Sequence, residues 1–118
     1  MKNLNVLLNW MTLEKFPYVD LQLSYTSFIE TINNPFSLIV NDTEYQFLTF
    51  EEIIDYYESY NFKSFMEFAL PFAMDGNSNF YIFDKRSNGN DIYLVASNNL
   101  EWDSEDLIFL GNDFNKLF

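Results

Sequence analysis

Cysteine and histidine are both absent from this chain of 118 residues. Without cysteine there is no disulfide, no thiolate metal site and no cysteine nucleophile. Without histidine the chain lacks the usual general base near neutral pH and the commonest metal ligand, and a Ser-His-Asp triad is excluded. These absences remove the commonest catalytic and metal-binding side chains, and we expect the protein to use no metal or cofactor.

Positive charge is scarce as well. Only 6 lysine and arginine residues stand against 18 aspartate and glutamate residues, which gives a net charge of −12. So few cations cannot follow a phosphate backbone, and an anionic membrane surface would repel the chain, so we expect no direct binding to nucleic acid or membrane. The long-range field would attract a basic protein, although acidity can also serve solubility alone.

Long hydrophobic runs are missing, and none of those present approaches membrane-spanning length. The N-terminal apolar stretch is interrupted by Asn5 and Asn9, with no small-residue cleavage site after it, so a signal peptide is not indicated. These features predict a cytoplasmic location, and the length predicts one domain, 1–118. Apolar and aromatic residues are abundant, at 48% and 20%, and supply the volume of a real core.

Three segments show the i, i+3, i+4, i+7 spacing of apolar residues that predicts a helix packed by one face. Asn3 is available as N-cap of the first, 33–35 (Asn-Asn-Pro) ends the second, and Thr49 with Glu52 fits a capping box for the third. The apolar positions are Leu4, Leu7, Leu8 and Met11; Leu21, Tyr25, Phe28, Ile29 and Ile32; and Phe50, Ile53, Ile54 and Tyr57.

Strand patterns are clearest at 80–84 and 92–95, where bulky apolar residues point to both faces, as in a strand covered on both sides. Asn88-Gly89 between them predicts a two-residue type I′ loop with both residues at positive φ. The register that follows pairs these residues: Arg86 with Asp91 and Phe83 with Leu94.

Strands are also predicted at 36–40 and 45–48, around the turn signal Asn41-Asp42. Segment 61–70 is compatible with helix or loop, and Pro71 is expected to end whatever precedes it. The tail, 107–118, predicts a short strand, then Gly111, then a short helix.

The polar segment 75–79, DGNSN, admits three interpretations. Asp75, Asn77 and Asn79 alternate like the first ligands of a calcium loop, but phenylalanine and arginine occupy the sixth and twelfth positions of that pattern. A phosphate cradle would need more glycines or a helix N-terminus, whereas a strand follows. We therefore interpret the segment as a turn stabilised by its own side chains, with Gly76 at positive φ. The structural turn residues predicted here and at the next hairpin are Asp75, Gly76, Asp84 and Gly89.

The run 71–84, PFAMDGNSNFYIFD, resembles the signature of the SUKH superfamily, which has an apolar Pro-Phe-Ala-like strand, an Asp-Gly-rich turn, an aromatic strand and an aspartate. Segments 24–34 and 110–118 resemble the family's early helix and its closing helix. The superfamily includes yeast cell-wall-synthesis regulators and many bacterial immunity proteins. The resemblance implies an α+β fold, a single SUKH-like domain with helices packed on a twisted, largely antiparallel or mixed sheet, and no catalytic residues.

The resemblance also implies an immunity protein that neutralises a cognate toxin by occluding it. Because nuclease toxins bind phosphate through basic clefts, the net charge of −12 agrees with a basic, nuclease-type partner. The alternative is a regulatory or scaffold domain with an endogenous protein partner. The sequence indicates neither the oligomeric state nor the identity of the toxin.

Two acidic clusters are candidates for toxin binding, one on the outer face of the third helix and one around a tryptophan, a residue enriched at interface hot spots. Each has a plainer interpretation, a solvated helix face and a tryptophan that anchors a loop on the core. Acid–base glycoside hydrolysis by two of these carboxylates would need a cleft that no spacing indicates. The helix cluster is Glu51, Glu52, Asp55 and Glu58, and the loop cluster is Glu101, Trp102, Asp103, Glu105 and Asp106.

Overall fold

A computed structural model describes residues 4–30 and 36–117. In these ranges the strands form one antiparallel six-stranded sheet in which each strand pairs with the next along the chain. Such an order needs no crossover connection. The strands are β1 (Phe36–Val40), β2 (Thr43–Phe47), β3 (Ala69–Met74), β4 (Asn79–Asp84), β5 (Ile92–Ala96) and β6 (Ile108–Gly111).

The helices precede, interrupt and follow the strands. They are α1 (Leu4–Leu13), α2 (Leu23–Ile29), α3 (Phe50–Ser59), α4 (Phe62–Phe65) and a C-terminal 3₁₀ helix (Phe114–Leu117). The predicted α+β fold is confirmed, with a sheet that is antiparallel throughout. The expected cap Asn3, the helix stop at 33–35 and the apolar position Ile32 lie outside the described residues.

The predicted start and inner face of α3 are confirmed. The Thr49 hydroxyl accepts from the Glu52 N–H at 3.1 Å, and the Glu52 carboxylate accepts from the Thr49 N–H at 2.9 Å, which completes the capping box. Asn61 follows the helix with φ 61°, a conformation that asparagine tolerates better than most residues, and it separates α3 from the single turn of α4. The buried face of α3 consists of Phe50, Ile53 and Tyr57.

Helices cover both faces of the sheet, as the apolar pattern of β4 predicts. On one face the Phe80 ring lies 4.9 Å from the Tyr60 ring at the end of α3 and 5.4 Å from the Phe62 ring of α4. On the other face the Phe83 ring lies 5.1 Å from the Tyr25 ring of α2. The β4 strand is therefore buried almost throughout, with partial exposure only at its first residue.

Pro71 lies inside β3 and is buried, so the expectation that it ends the preceding structure is wrong for the strand. The pairing of β3 with β4 shifts register between Pro71 and Ala73. A bulge at this point is the setting in which a sheet accepts a residue without an N–H donor. The ambiguous segment before it contains α4, which ends at Phe65.

The β4–β5 hairpin departs from the predicted register by two residues. Phe83 pairs with Ile92, and Leu94 pairs with Tyr81. The connecting loop is therefore longer than two residues, and Gly89 does not have positive φ. The predicted type I′ loop at Asn88-Gly89 is wrong.

The aspartate that ends β4 explains this longer loop. The Asp84 N–H donates to the Asp91 carbonyl at 2.9 Å, and the Asp84 carboxylate accepts from the Arg86 N–H at 3.0 Å. Arg86 is thereby held beside Asp84 instead of facing Asp91 across the hairpin. A two-residue loop of the kind predicted for Asn88-Gly89 is found instead in the β1–β2 hairpin, where Asn41 (φ 50°) and Asp42 (φ 65°) both have positive φ.

The DGNSN segment forms the turn between β3 and β4. One Asp75 carboxylate oxygen accepts from the N–H groups of Asn77 (2.7 Å) and Asn79 (3.1 Å), and the other accepts from the Asn79 side chain at 2.7 Å. Gly76 has φ 82°, and a Cβ there would lie 2.7 Å from a carboxylate oxygen of Glu44. The Asp75 carboxylate is thus occupied by its own turn.

Candidate functional site

The helix cluster follows the solvent side of α3. Glu51, Asp55 and Glu58 are exposed, whereas Glu52 is partly buried. Glu52 serves the capping box, and both glutamates of the first turn are favoured there by the helix dipole. Glu58 accepts a long hydrogen bond of 3.4 Å from the Trp10 indole of α1. Part of this cluster therefore has a structural explanation.

The loop cluster lies in the β5–β6 connection, which its own hydrogen bonds fold back on itself. The Asn99 amide donates to the Ser104 hydroxyl at 3.0 Å and to the Asp106 carboxylate at 3.4 Å. The Ser104 hydroxyl also accepts from the Asp106 N–H at 3.1 Å. This compact loop leaves four acidic residues exposed: Glu101, Asp103, Glu105 and Asp106.

Trp102 fixes this loop to the body of the domain. Its indole N–H donates to the Glu67 carbonyl at 3.0 Å, just beyond α4, and its ring meets the Tyr93 ring of β5 edge-on at 6.0 Å. The side chain is partly buried. Of the two interpretations of Trp102 offered by the sequence, the geometry matches the tryptophan that anchors a loop, while toxin binding by this residue stays a prediction.

Arg86 connects this anchor to the end of β4. Its guanidinium carbon lies 3.6 Å from the centre of the Trp102 ring, and its nitrogens donate to both carboxylate oxygens of Asp84, at 3.0 and 2.9 Å. Asp84 is only 7% exposed. Hydrogen bonding to that carboxylate raises the pKa of Arg86 above its usual value, because it stabilises the charged guanidinium. We call Asp84, Arg86, Tyr93 and Trp102 the Trp102 anchor.

The aspartate that ends the 71–84 signature, Asp84, thus holds Arg86 against the Trp102 ring. The model of the SMI1/KNR4 family (SUKH-1) matches residues 12–118. The chain belongs to the SUKH-1 family. No curated protein sequence matches it significantly. SUKH-1 domains include immunity proteins, are generally non-enzymatic and typically bind protein toxins.

A groove that the sequence did not predict lies beside the loop cluster of this SUKH-1 domain. It encloses about 430 Å³ between the α3–α4 region and the loop after β5. Phe65 is 62% exposed and Tyr60 is 38% exposed on one wall, while Glu101 contributes to the other. The full lining is Tyr60, Ser64, Phe65, Ser97, Asn98, Asn99, Leu100 and Glu101. Phe65 falls in the segment whose secondary structure the sequence left open.

The β6 edge is the second surface that sequence reasoning missed. Ile108, Phe109 and Leu110 are exposed by 52%, 57% and 37%. Their apolar run predicted a strand, but only the strand order places that strand at the end of the sheet. Because neighbouring strand residues point to opposite faces, Ile108 and Phe109 place apolar side chains on both sides of this edge.

The described part of the SUKH-1 chain contains neither a metal-ligand cluster nor a helix able to span a membrane. Residues 4–30 and 36–117 contain no group of three histidine, cysteine, aspartate or glutamate side chains arranged to hold a metal ion. None of the helices in these ranges combines the length and apolar character needed to cross a bilayer.

Proposed function

We propose that this SUKH-1 protein is an immunity protein that neutralises a basic, nuclease-type toxin by covering it with an acidic surface. The observation that carries the proposal is the loop cluster, in which four exposed carboxylates stand on a loop fixed by the Trp102 anchor. A fixed loop loses little conformational entropy on binding, so little of the electrostatic attraction between its carboxylates and a basic partner is offset by that cost.

The position of the two clusters supports one acidic side. The loop cluster is attached through Trp102 to the backbone beside α4, and Tyr60 at the end of α3 shares a groove with Glu101. Both clusters therefore belong to the side of the sheet covered by α3 and α4. With a net charge of −12, this side would speed the approach of a basic domain and orient it before contact.

The mechanism requires no covalent step and no cofactor. The acidic side occupies the basic cleft through which a nuclease binds phosphate, and the exposed aromatic side chains of Phe65 and Tyr60 add apolar contact between the charges. The nucleic-acid substrate of the toxin is then kept out of the cleft by the bulk of the bound domain and by repulsion from its carboxylates.

The first step of the test is to search the neighbouring genes for a toxin domain. The second is to measure protection against that domain, together with association rates by stopped flow at several salt concentrations. A loop variant carries Glu101→Gln, Asp103→Asn and Glu105→Gln. A matched variant with the same change in net charge carries Glu51→Gln, Asp55→Asn and Glu58→Gln. We expect the loop variant to associate about tenfold more slowly at low salt, with a weaker salt dependence, and the matched variant to change less.

Charge reversal gives the stronger form of this test. With Glu101, Asp103, Glu105 and Asp106 all changed to lysine, protection should be lost while the domain remains folded, as measured by its thermal unfolding transition. Full protection by this variant would show that the loop cluster is not the interface. A chain whose gene has no toxin neighbour, and which binds an endogenous protein instead, would be a regulatory or scaffold domain.

A further inference from the structure

The β6 strand has an outer edge with no neighbouring strand in the described part of the chain. Alternate residues of such an edge direct backbone N–H and C=O groups outward, ready to pair with another strand. Natural edges are usually shielded by lysine or proline. The edge here instead presents Ile108, Phe109 and Leu110, all exposed.

A bulge limits how much of this edge is regular. Ile92 pairs with Gly111 and Tyr93 pairs with Phe109, so Leu110 is the extra residue. Bulges twist an edge and shorten the stretch that can accept a partner. Backbone pairing over so short a stretch needs an additional attraction to hold a second chain.

The loop cluster supplies that attraction. It immediately precedes β6, and the two are joined by a chain of rings, since Phe109 lies 5.5 Å from Tyr93 and Tyr93 lies 6.0 Å from Trp102. A second copy of the chain would bring two acidic loops together at a net charge of −12 each, which opposes self-association. A cationic segment of a different protein would instead be attracted by the loop cluster and could pair with the exposed β6 edge.

We propose that β6 pairs with an extended, basic segment of a protein partner, which joins the sheet as a further strand. This inference rests on the proposed function for the positive charge of the partner, while the pairing itself does not require that the partner be a toxin. Apolar side chains of the segment would lie beside Phe109 on one face of the sheet and beside Ile108 on the other. Its lysine or arginine residues would meet the loop cluster.

The test uses the full chain and a short synthetic peptide in which a central run of valine residues is flanked by lysines, so that apolar side chains lie on both faces of the added strand. The control is the same peptide N-methylated at alternate residues, which keeps the charge but removes the amide donors of one edge. We expect binding with slowed amide exchange at 108–111, measured by NMR, and an affinity about tenfold lower for the methylated peptide, since each lost hydrogen bond weakens binding by up to about that factor.

Chain variants localise the binding. Ile108→Thr combined with Phe109→Thr keeps strand-forming residues and removes the apolar contact, so it should weaken peptide binding. Ile39→Thr is the matched control, because Ile39 is 70% exposed on β1, the strand at the opposite end of the sheet. The Ile39→Thr chain should bind the peptide with the same affinity as the parent chain.

Several results would overturn the inference. These are equal binding of the two peptides, amide protection at β1 instead of β6, no binding at millimolar peptide, or sedimentation showing a dimer that the Ile108→Thr and Phe109→Thr changes dissociate. Because no toxin takes part, the outcome is independent of the protection assay. Peptide pairing at β6 in a chain that protects against no toxin would refute the proposed function alone.

Discussion

Replacing Arg86 with lysine tests whether the Trp102 anchor holds the acidic loop in place. Lysine keeps the charge but cannot donate two parallel hydrogen bonds and stack on a ring at the same time. Arg86 makes two charge-assisted bonds of 2.9 and 3.0 Å to Asp84 and lies 3.6 Å from the centre of the Trp102 ring.

The magnitude follows from these contacts. A charge-assisted hydrogen bond contributes about 1.5–3 kcal/mol when well buried, and an exposed cation–π contact about 0.5–1 kcal/mol. The Arg86 side chain is 46% exposed, so solvent screening reduces both, and lysine retains one bond to Asp84. We expect a loss of about 1–2 kcal/mol, which lowers the melting temperature by about 5 °C in a domain of this size.

The assay is ¹⁹F NMR of chains labelled with 5-fluorotryptophan, combined with amide exchange of 101–106. The chain has 2 tryptophans, and Trp10→Phe assigns their signals. In the Arg86→Lys chain the Trp102 signal should shift and broaden while the Trp10 signal stays, and the amides of the loop should exchange faster.

A double-mutant cycle with Trp102→Phe supplies the control. If Arg86 acts through the ring, the effects of the two changes on stability will not add. An Arg86→Lys chain with an unchanged Trp102 signal, unchanged exchange at 101–106 and the parental melting temperature would refute the anchor.

Three further predictions concern the stability of the fold. Tyr25→Phe should raise the free energy of unfolding by about 1 kcal/mol in urea titrations, because its hydroxyl is the only buried side-chain polar atom in the described residues without a hydrogen-bond partner; a clear loss of stability would contradict this. Burial raises the pKa of Tyr57 to about 12 and also raises that of Tyr25, so the folded chain keeps protons that the unfolded chain releases near pH 10. Stability should therefore be full below about pH 10 and fall as the pH rises towards 12, by at most about 1.4 kcal/mol per pH unit for each phenol; a flat urea midpoint over that window is the negative result. Gly76→Ala should cost about 1–2 kcal/mol because of its φ of 82° and the contact with Glu44, whereas Gly89→Ala should have little effect in the same thermal melts; equal effects would argue against the strained turn.

Local sequence patterns were sufficient for the elements whose causes are local. The capping box depends on Thr49 and Glu52 alone, and the buried face of α3 follows from spacing within one helix. The two-sided burial of β4 was likewise visible in its continuous apolar run. The family resemblance added the fold class.

The predictions that were wrong, and the features that were missed, depend on contacts between residues outside the local sequence pattern. The register of the β4–β5 hairpin depends on the contact between Asp84 and Arg86, which outweighs the turn preference of Asn-Gly. Pro71 is accepted in β3 because a bulge removes the need for its donor. The role of Trp102 depends on Glu67, far away in the sequence, and the exposure of β6 depends on the strand order, so neither could be derived from spacing.

The anchoring of the β5–β6 loop through a single indole has a consequence for how such a domain diversifies. The carboxylates of Glu101 and Glu105 make none of the hydrogen bonds that hold the loop, so under the proposed function substitutions there would change target matching at little cost in folding. Trp102 and Arg86, by contrast, are constrained by their contacts with Glu67, Tyr93 and Asp84. Under the proposed function, homologues that adapt to new toxins would therefore vary the acidic positions beside Trp102 and keep Trp102 itself.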